Sequence, residues 1–185
     1  VRELLASDPE TAVKILDDVL TKNQNSIADV RRLVYNLRPP TLDELGLVGA
    51  IREYVQNSEQ SGLHVTITAP PDDLPPLSAA VEAAAYRIVL EAFTNVVRHA
   101  GAGRCEISLR LGTGDWRLEI GDYPVSSPQS LILQIQDDGA GLNENGRRGV
   151  GLSSMRERAE EVGGLCEVVS EGRGVRVTAV LPLGV

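Results

Sequence analysis

Glu91, Asn95 and His99 stand four residues apart in the run EAFTNVVRHA, Glu91 to Ala100. On a helix advancing ~100° per residue they share one narrow arc, while Val89, Leu90, Ala92, Phe93, Val96 and Val97 cover the other side. Such a helix lies on a sheet with its apolar side and offers a carboxylate, an amide oxygen and an imidazole to whatever sits above it. A carboxylate so placed can move a proton, and an amide oxygen suits a hard cation. The three together make a floor for a polar ligand.

Two glycine motifs follow. DDGAG, Asp137 to Gly141, comes after an apolar strand pattern, and GVGL, Gly149 to Leu152, opens a helical one. Gly139 and Gly141 lack Cβ atoms, so the chain can turn sharply there and lie close to a ligand. Gly149, Val150, Gly151 and Leu152 bring up the start of a helix, where unpaired N–H groups and the positive dipole end favour a phosphate. The segment between, LNENGRR, is very short, and its Arg147 and Arg148 are either phosphate contacts or a solvated basic pair.

These residues need a scaffold, and the patterning supplies one. Ser78 caps a helix expected over Ser78 to His99. Before it, Thr41 to Asn57 reads as a helix with Thr41 and Glu44 as a capping box, and Gly62 to Ala69 alternates like a strand. Strand patterns recur at Arg104 to Leu111, Trp116 to Ile120 and Leu131 to Gln136, the first two joined by a turn at Gly112-Thr113-Gly114-Asp115. A helix over Leu152 to Val162 precedes two strands, Gly163 to Ser170 and Gly174 to Leu181. Helices gathered on one side and strands on the other make an α+β, two-layer sandwich.

A long amphipathic helix is expected before the domain. Val13, Leu16, Leu20, Ile27, Val30, Val34 and Leu37 recur at helical spacing. Asp8-Pro9 gives the helix a start and Pro39-Pro40 a stop. An apolar stripe without a core of its own wants a partner helix, the alternative being a helix folded back on its own domain. The expected division is therefore 1–40, a helical arm, and 41–185, the main domain.

The length of 185 residues suits that division, since a single domain commonly takes ~100–150 residues. A net charge of −8 and a pI near 4.8 exclude a broad nucleic-acid face, which needs a basic stripe. A nucleotide is compatible with this charge, because a local backbone pocket and a cation can neutralise its phosphates. Cys105 and Cys166 lie in apolar strand-like surroundings and read as buried free thiols. No apolar run approaches the ~18 residues of a membrane span. A first residue of Val rather than Met suggests a segment of a longer polypeptide, with any sensor or membrane part upstream.

The order Glu-x-x-x-Asn, Asp-x-Gly-x-Gly, Gly-x-Gly-Leu resembles the asparagine box and two glycine boxes of the ATP-binding domain of sensor histidine kinases, within the GHKL superfamily. LRPPTLDELGL at 37–47, YRIVLEAFTNVVRHAGA at 86–102 and GVGLSSMRERAEEVGG at 149–164 look like the subfamily typified by NarX, DesK and LiaS. The resemblance covers roughly residues 11 to 183. It implies the histidine kinase ATPase (Bergerat-type) fold, with the arm as second helix of the dimerisation and phosphotransfer hairpin.

The same resemblance implies ATP and Mg²⁺ as cofactors. Asp137 matches the adenine-reading Asp, Asn95 the Mg²⁺ ligand, and Glu91 the base that activates the acceptor imidazole. His99 aligns with the His or Lys that closes the asparagine box and touches phosphate; the competing reading is an imidazole capping the helix end against Gly101. The partners implied are a response regulator with a helix-turn-helix output domain and a second copy in the full-length protein, with no nucleic acid and no membrane contact by this segment. The implied location is cytoplasmic.

Three departures bear on that picture. Val175 stands where the family usually has Thr near the adenine pocket. GDYPVSSPQS, 121–130, reads as an insertion forming an extended hairpin or exposed loop. The phosphoacceptor His is absent, since His64 lies on a strand pattern and His99 on the ligand helix. The chain is therefore expected to bind nucleotide without phosphorylating itself. Two other readings compete: a nucleotide-binding regulatory module without catalysis, and an anti-sigma-type serine kinase, against which the LRPP segment after a long helix argues.

Overall fold

A computed structural model of the protein describes residues 39–58, 62–70, 74–113, 129–142, 150–170 and 173–183. The expected arm helix and the expected strand Trp116 to Ile120 lie outside them. The first element, α1, is Pro40–Ser58. Its start at Pro40 uses a ring whose φ is already helical and whose missing N–H would have had no partner there. Thr41 therefore sits inside the first turn and is not the cap that the sequence suggests. Gly46, at φ 64 and ψ 177, breaks α1 into two pieces across a kink, and Leu42, Leu47, Ala50, Ile51 and Val55 are its buried side chains.

Strand β1, His64–Thr68, precedes α2, Ala79–Asn95, whose N-cap Ser78 accepts a hydrogen bond from the Val81 N–H. The helix changes gauge after Asn95. Val96–Ala100 is a π-helical segment, ended by Gly101 at φ 57, a left-handed position that glycine takes without Cβ strain. The continuous α-helix expected through His99 thus stops at Asn95. His99 leaves the α-helical register that would have kept it on one arc with Glu91 and Asn95.

Strands β2, Arg104–Thr113, and β3, Gln129–Asp137, pair antiparallel over their length, Cys105 opposite Asp137 and Thr113 opposite Gln129. Gly112 and Thr113 are thus ladder residues, and the turn expected there is overridden by pairing with Ser130 and Gln129. Those two partners belong to β3 and leave only 121–128 of the expected insertion, outside the described residues. After α3, Val150–Glu161, come β4, Leu165–Val169, and β5, Arg176–Pro182. The sheet order is β1-β2-β3-β5-β4. Among the described strands only the β1–β2 pair is parallel, the crossover between them being α2.

Alternation along the strands sorts the two faces. Ile107, Ile135 and Val177 form one row across β2, β3 and β5; Leu109, Leu133 and Ala179 form the next. All six are buried with Ile88, Val89, Ala92 and Phe93 of α2 and Met155 and Ala159 of α3. The other face carries Ser108, Gln134, Gln136, Arg176 and Thr178. An α+β sandwich results, with helices over one face of a mixed sheet. Each fully buried large side chain of its core contributes ~1.5–3 kcal/mol, and Phe93 is the bulkiest of them.

Candidate functional site

The period of two that buries Leu131, Leu133 and Ile135 carries on to Asp137 and turns its carboxylate toward the helix layer at the end of β3. Asp137 is 6% exposed. A buried carboxylate needs hydrogen-bond donors, and two backbone N–H groups supply them. Gly139 donates to Oδ1 at 2.8 Å and Val175 to Oδ2 at 3.2 Å. Each oxygen keeps a lone pair for a further donor. A niche beside Asp137 is lined by Val169, Arg173, Gly174 and Val175 among others.

The loop after Asp137 is tied to the end of the helix that carries Glu91 and Asn95. Ala140 donates its N–H to the Ala100 carbonyl at 2.9 Å. A Cβ on Gly139 would meet that same carbonyl. Gly139 therefore lacks a side chain because the chain lies on the helix end there, a reason other than the approach to a ligand that the sequence suggests. Gly141 takes the left-handed conformation, φ 78. Asp138 faces outward and accepts from the N–H groups of Gly103 and Arg104 at 2.9 and 2.8 Å. Those bonds hold its carboxyl below the usual carboxylate range, the Arg104 N–H contributing most.

On α2, Glu91 and Asn95 are half-buried and neither side chain forms a hydrogen bond with another described residue. Thr94, between them, meets the Tyr54 hydroxyl of α1 at 3.0 Å, and the Tyr54 ring stands edge-on to Phe93. Helix α3 starts at Val150, two residues earlier than Leu152, so Gly151 lies in its first turn. A Cβ on Gly151 would collide with the Glu91 carboxylate. The helix N-terminus is therefore pressed directly onto that carboxylate.

The structure thus brings Glu91, the Asp137 loop with Gly139, and Gly151 around the last turns of α2. His99 is exposed on the π-helical segment. Gly149, Arg147 and Arg148 lie outside the described residues. Three further contributors went unseen in the sequence. Gly174, at φ 85, approaches the Asp137 carbonyl too closely for a Cβ. Ser170 accepts from the Leu142 N–H and donates to the Gly174 carbonyl, both at 3.0 Å. Asp138 is the third. Only Ser170 had a local signal, a hydroxyl between a β-branched run and a glycine turn.

Among the described residues no group of three His, Cys, Asp or Glu could hold a metal ion by itself. No described helix is long and apolar enough to cross a membrane. Cys105 and Cys166 are buried and free.

Residues 80–185 match the family described as histidine kinase-, DNA gyrase B-, and HSP90-like ATPase. The chain belongs to that family. Its matched region is the family's ATP-binding domain. The sensor histidine kinase MctS of Rhizobium johnstonii is 32% identical over 94% of this chain and 35% of its own length. The oxygen sensor histidine kinase NreB of Staphylococcus carnosus is 34% identical over 85% of this chain and 42% of its own. The chain thus spans roughly a third to two fifths of these relatives.

Solved structures agree on the fold of this ATPase-family member. The histidine kinase domain of the Erythrobacter litoralis blue-light activated kinase superposes with a TM-score of 0.56 at 20% identity, over 78% of this chain and 69% of that one. The Acinetobacter baumannii histidine kinase AdeS gives 0.56 at 18% identity over 98% of both chains.

Proposed function

We propose that the chain is the catalytic, ATP-binding part of a two-component sensor histidine kinase of the NarX, DesK and LiaS type. In this reading it binds Mg-ATP and passes the γ-phosphoryl to a His outside the chain, from which an Asp of a response regulator takes it. The observation that carries the proposal is the contact of Gly151 with Glu91, which sets a helix N-terminus onto the proton-handling carboxylate. Residues 1–40 act as half of a dimerisation hairpin in the full-length protein. The regulator carries a helix-turn-helix output domain, and the assembly works in the cytoplasm.

Each residue then has a task. The free lone pair of Asp137 accepts the N6 amino group of adenine, its direction fixed by the Gly139 and Val175 N–H groups. N–H groups at the start of α3 hold the triphosphate. Asn95, with its amide oxygen uncommitted among the described residues, is the residue that would hold Mg²⁺. That ion, when bound, neutralises phosphate charge. Glu91 takes the proton of the acceptor imidazole. In such a reaction positioning and charge neutralisation do most of the work.

Calorimetric titration with a non-hydrolysable ATP analogue, with and without Mg²⁺, tests the binding half. The phosphotransfer half is tested in trans against a supplied hairpin bearing the acceptor His. Glu91→Gln should bind the analogue normally and lose phosphotransfer ~10²-fold or more. A variant that keeps both activities removes Glu91 as the base.

A further inference from the structure

The Ser170 hydroxyl joins two stretches that both touch Asp137. On one side, Leu142 follows Asp137 along the stretch after β3, and its N–H donates to Ser170 Oγ at 3.0 Å. On the other, Ser170 Oγ donates to the Gly174 carbonyl at 3.0 Å. Gly174 lies against the Asp137 carbonyl, and its neighbour Val175 donates to Asp137 Oδ2 at 3.2 Å. The opposite oxygen, Oδ1, is held by Gly139, which lies between Asp137 and Leu142.

Each Asp137 oxygen is therefore aimed by an N–H from a different stretch, and Ser170 is a hydroxyl that fastens the two stretches together. A hydroxyl has one donor and two acceptor sites, and here it uses one of each. Gly141 and Gly174 both sit at positive φ, 78 and 85, where glycine leaves the backbone free to swing. A cross-link between two glycine-hinged stretches removes that freedom.

We infer that Ser170 is a positioning residue for base recognition: by tying Leu142 to Gly174 it fixes the direction of the Asp137 carboxylate and so sets discrimination for an adenine over a guanine nucleotide. The inference rests on the nucleotide reading above. Adenine presents an amino group where guanine presents a carbonyl oxygen. A rigidly aimed carboxylate rejects the latter through acceptor facing acceptor, and a loosened one turns aside.

The experiment compares wild type, Ser170→Ala and Ser170→Thr. Titration with non-hydrolysable ATP and GTP analogues is combined with residue-resolved amide exchange of the nucleotide-free proteins. Ser170→Ala should weaken the ATP analogue about tenfold, the worth of one to two hydrogen bonds, with a smaller effect on the GTP analogue. The Leu142 amide should exchange faster, and Ser170→Thr should restore the ATP preference and the protection. Wild-type nucleotide binding with an unchanged ATP to GTP ratio in Ser170→Ala overturns the inference alone. Absence of nucleotide binding in the wild type overturns the nucleotide reading and the inference together. A uniform loss for both analogues, unrescued by Thr, reduces Ser170 to a structural residue and also overturns the inference.

Discussion

Gly151 lies against the Glu91 carboxylate, so that a Cβ there would meet Oε1, the tip of a flexible side chain, rather than backbone. Gly151→Ala should therefore spare the fold and move the carboxylate. Replacing a helical glycine by alanine gains at most ~1 kcal/mol of helix propensity, less in a first turn such as this one, which offsets part of the cost of turning Glu91 aside. Thermal unfolding should show little change. Phosphotransfer to a supplied acceptor should fall ~10-fold or more, since a misplaced base forfeits part of its ~10²–10⁴ contribution. The double variant with Glu91→Gln should be no worse than Glu91→Gln alone. Additive losses would show that Gly151 acts on something other than Glu91.

Acid titration should expose Asp138. Its folded-state carboxyl titrates below 3.8, because the Arg104 and Gly103 N–H groups favour the charged form. In the unfolded chain protons bind at higher pH, so this contribution is fully present above 3.8 and is lost as pH falls through the folded value. Asp138→Asn retains an oxygen acceptor for the two N–H groups but cannot titrate. Urea midpoints measured from pH 6 down to pH 2.5 should therefore fall less steeply below pH 4 in the variant. Parallel acid limbs would remove Asp138 as a contributor.

What could be read from the chain, and what could not, follows the range of the interactions. Ser78 and the apolar spacing of Val81, Ala85, Ile88, Val89 and Phe93 specify α2 locally, and each of these five side chains is buried. The alternation ending at Asp137 likewise placed that carboxylate at a strand end. Change of helical gauge at Val96 has no such local mark, because no residue type signals hydrogen bonds closing one residue wider. Gly112 and Thr113 read as a turn in isolation, yet ladder partners at Ser130 and Gln129 hold them in β2. Asp138 and Ser170 act across 34 to 35 and 28 residues of sequence respectively. Their distant partners are backbone groups, so the sequence carries no trace of those long-range pairings.

The two thiols offer a third prediction. Burial pushes both Cys105 and Cys166 up to about 12, the Asp137 charge adding to the effect at Cys105 and Arg156 opposing it at Cys166. Since the thiolate is the reactive form, alkylation of the native protein at pH 8 should be slow and should keep pace with unfolding. Raised folded values also mean stability that is whole below the ordinary value of 9.0 and declines as pH climbs from there toward about 12. Rapid labelling of either thiol under native conditions would contradict its burial.

Gly174 and Gly163 separate two costs that are usually confounded. Both have positive φ, 85 and 74, but a Cβ at Gly163 has only Pro182 Cγ nearby, at 3.8 Å, whereas at Gly174 it would strike the Asp137 carbonyl. Gly163→Ala should therefore cost only the left-handed penalty, ~1–2 kcal/mol. Gly174→Ala adds overpacking of ~1–3 kcal/mol, because backbone cannot step aside as a side chain can. Denaturant midpoints should rank the variants in that order. Nucleotide affinity supplies the second axis. Displacing Gly174 moves Val175, which donates to Asp137 Oδ2, so Gly174→Ala should lose affinity for an ATP analogue even at temperatures where it stays folded. Gly163→Ala should bind as the wild type does. Equal affinities in two folded variants would detach the β4–β5 turn from base recognition.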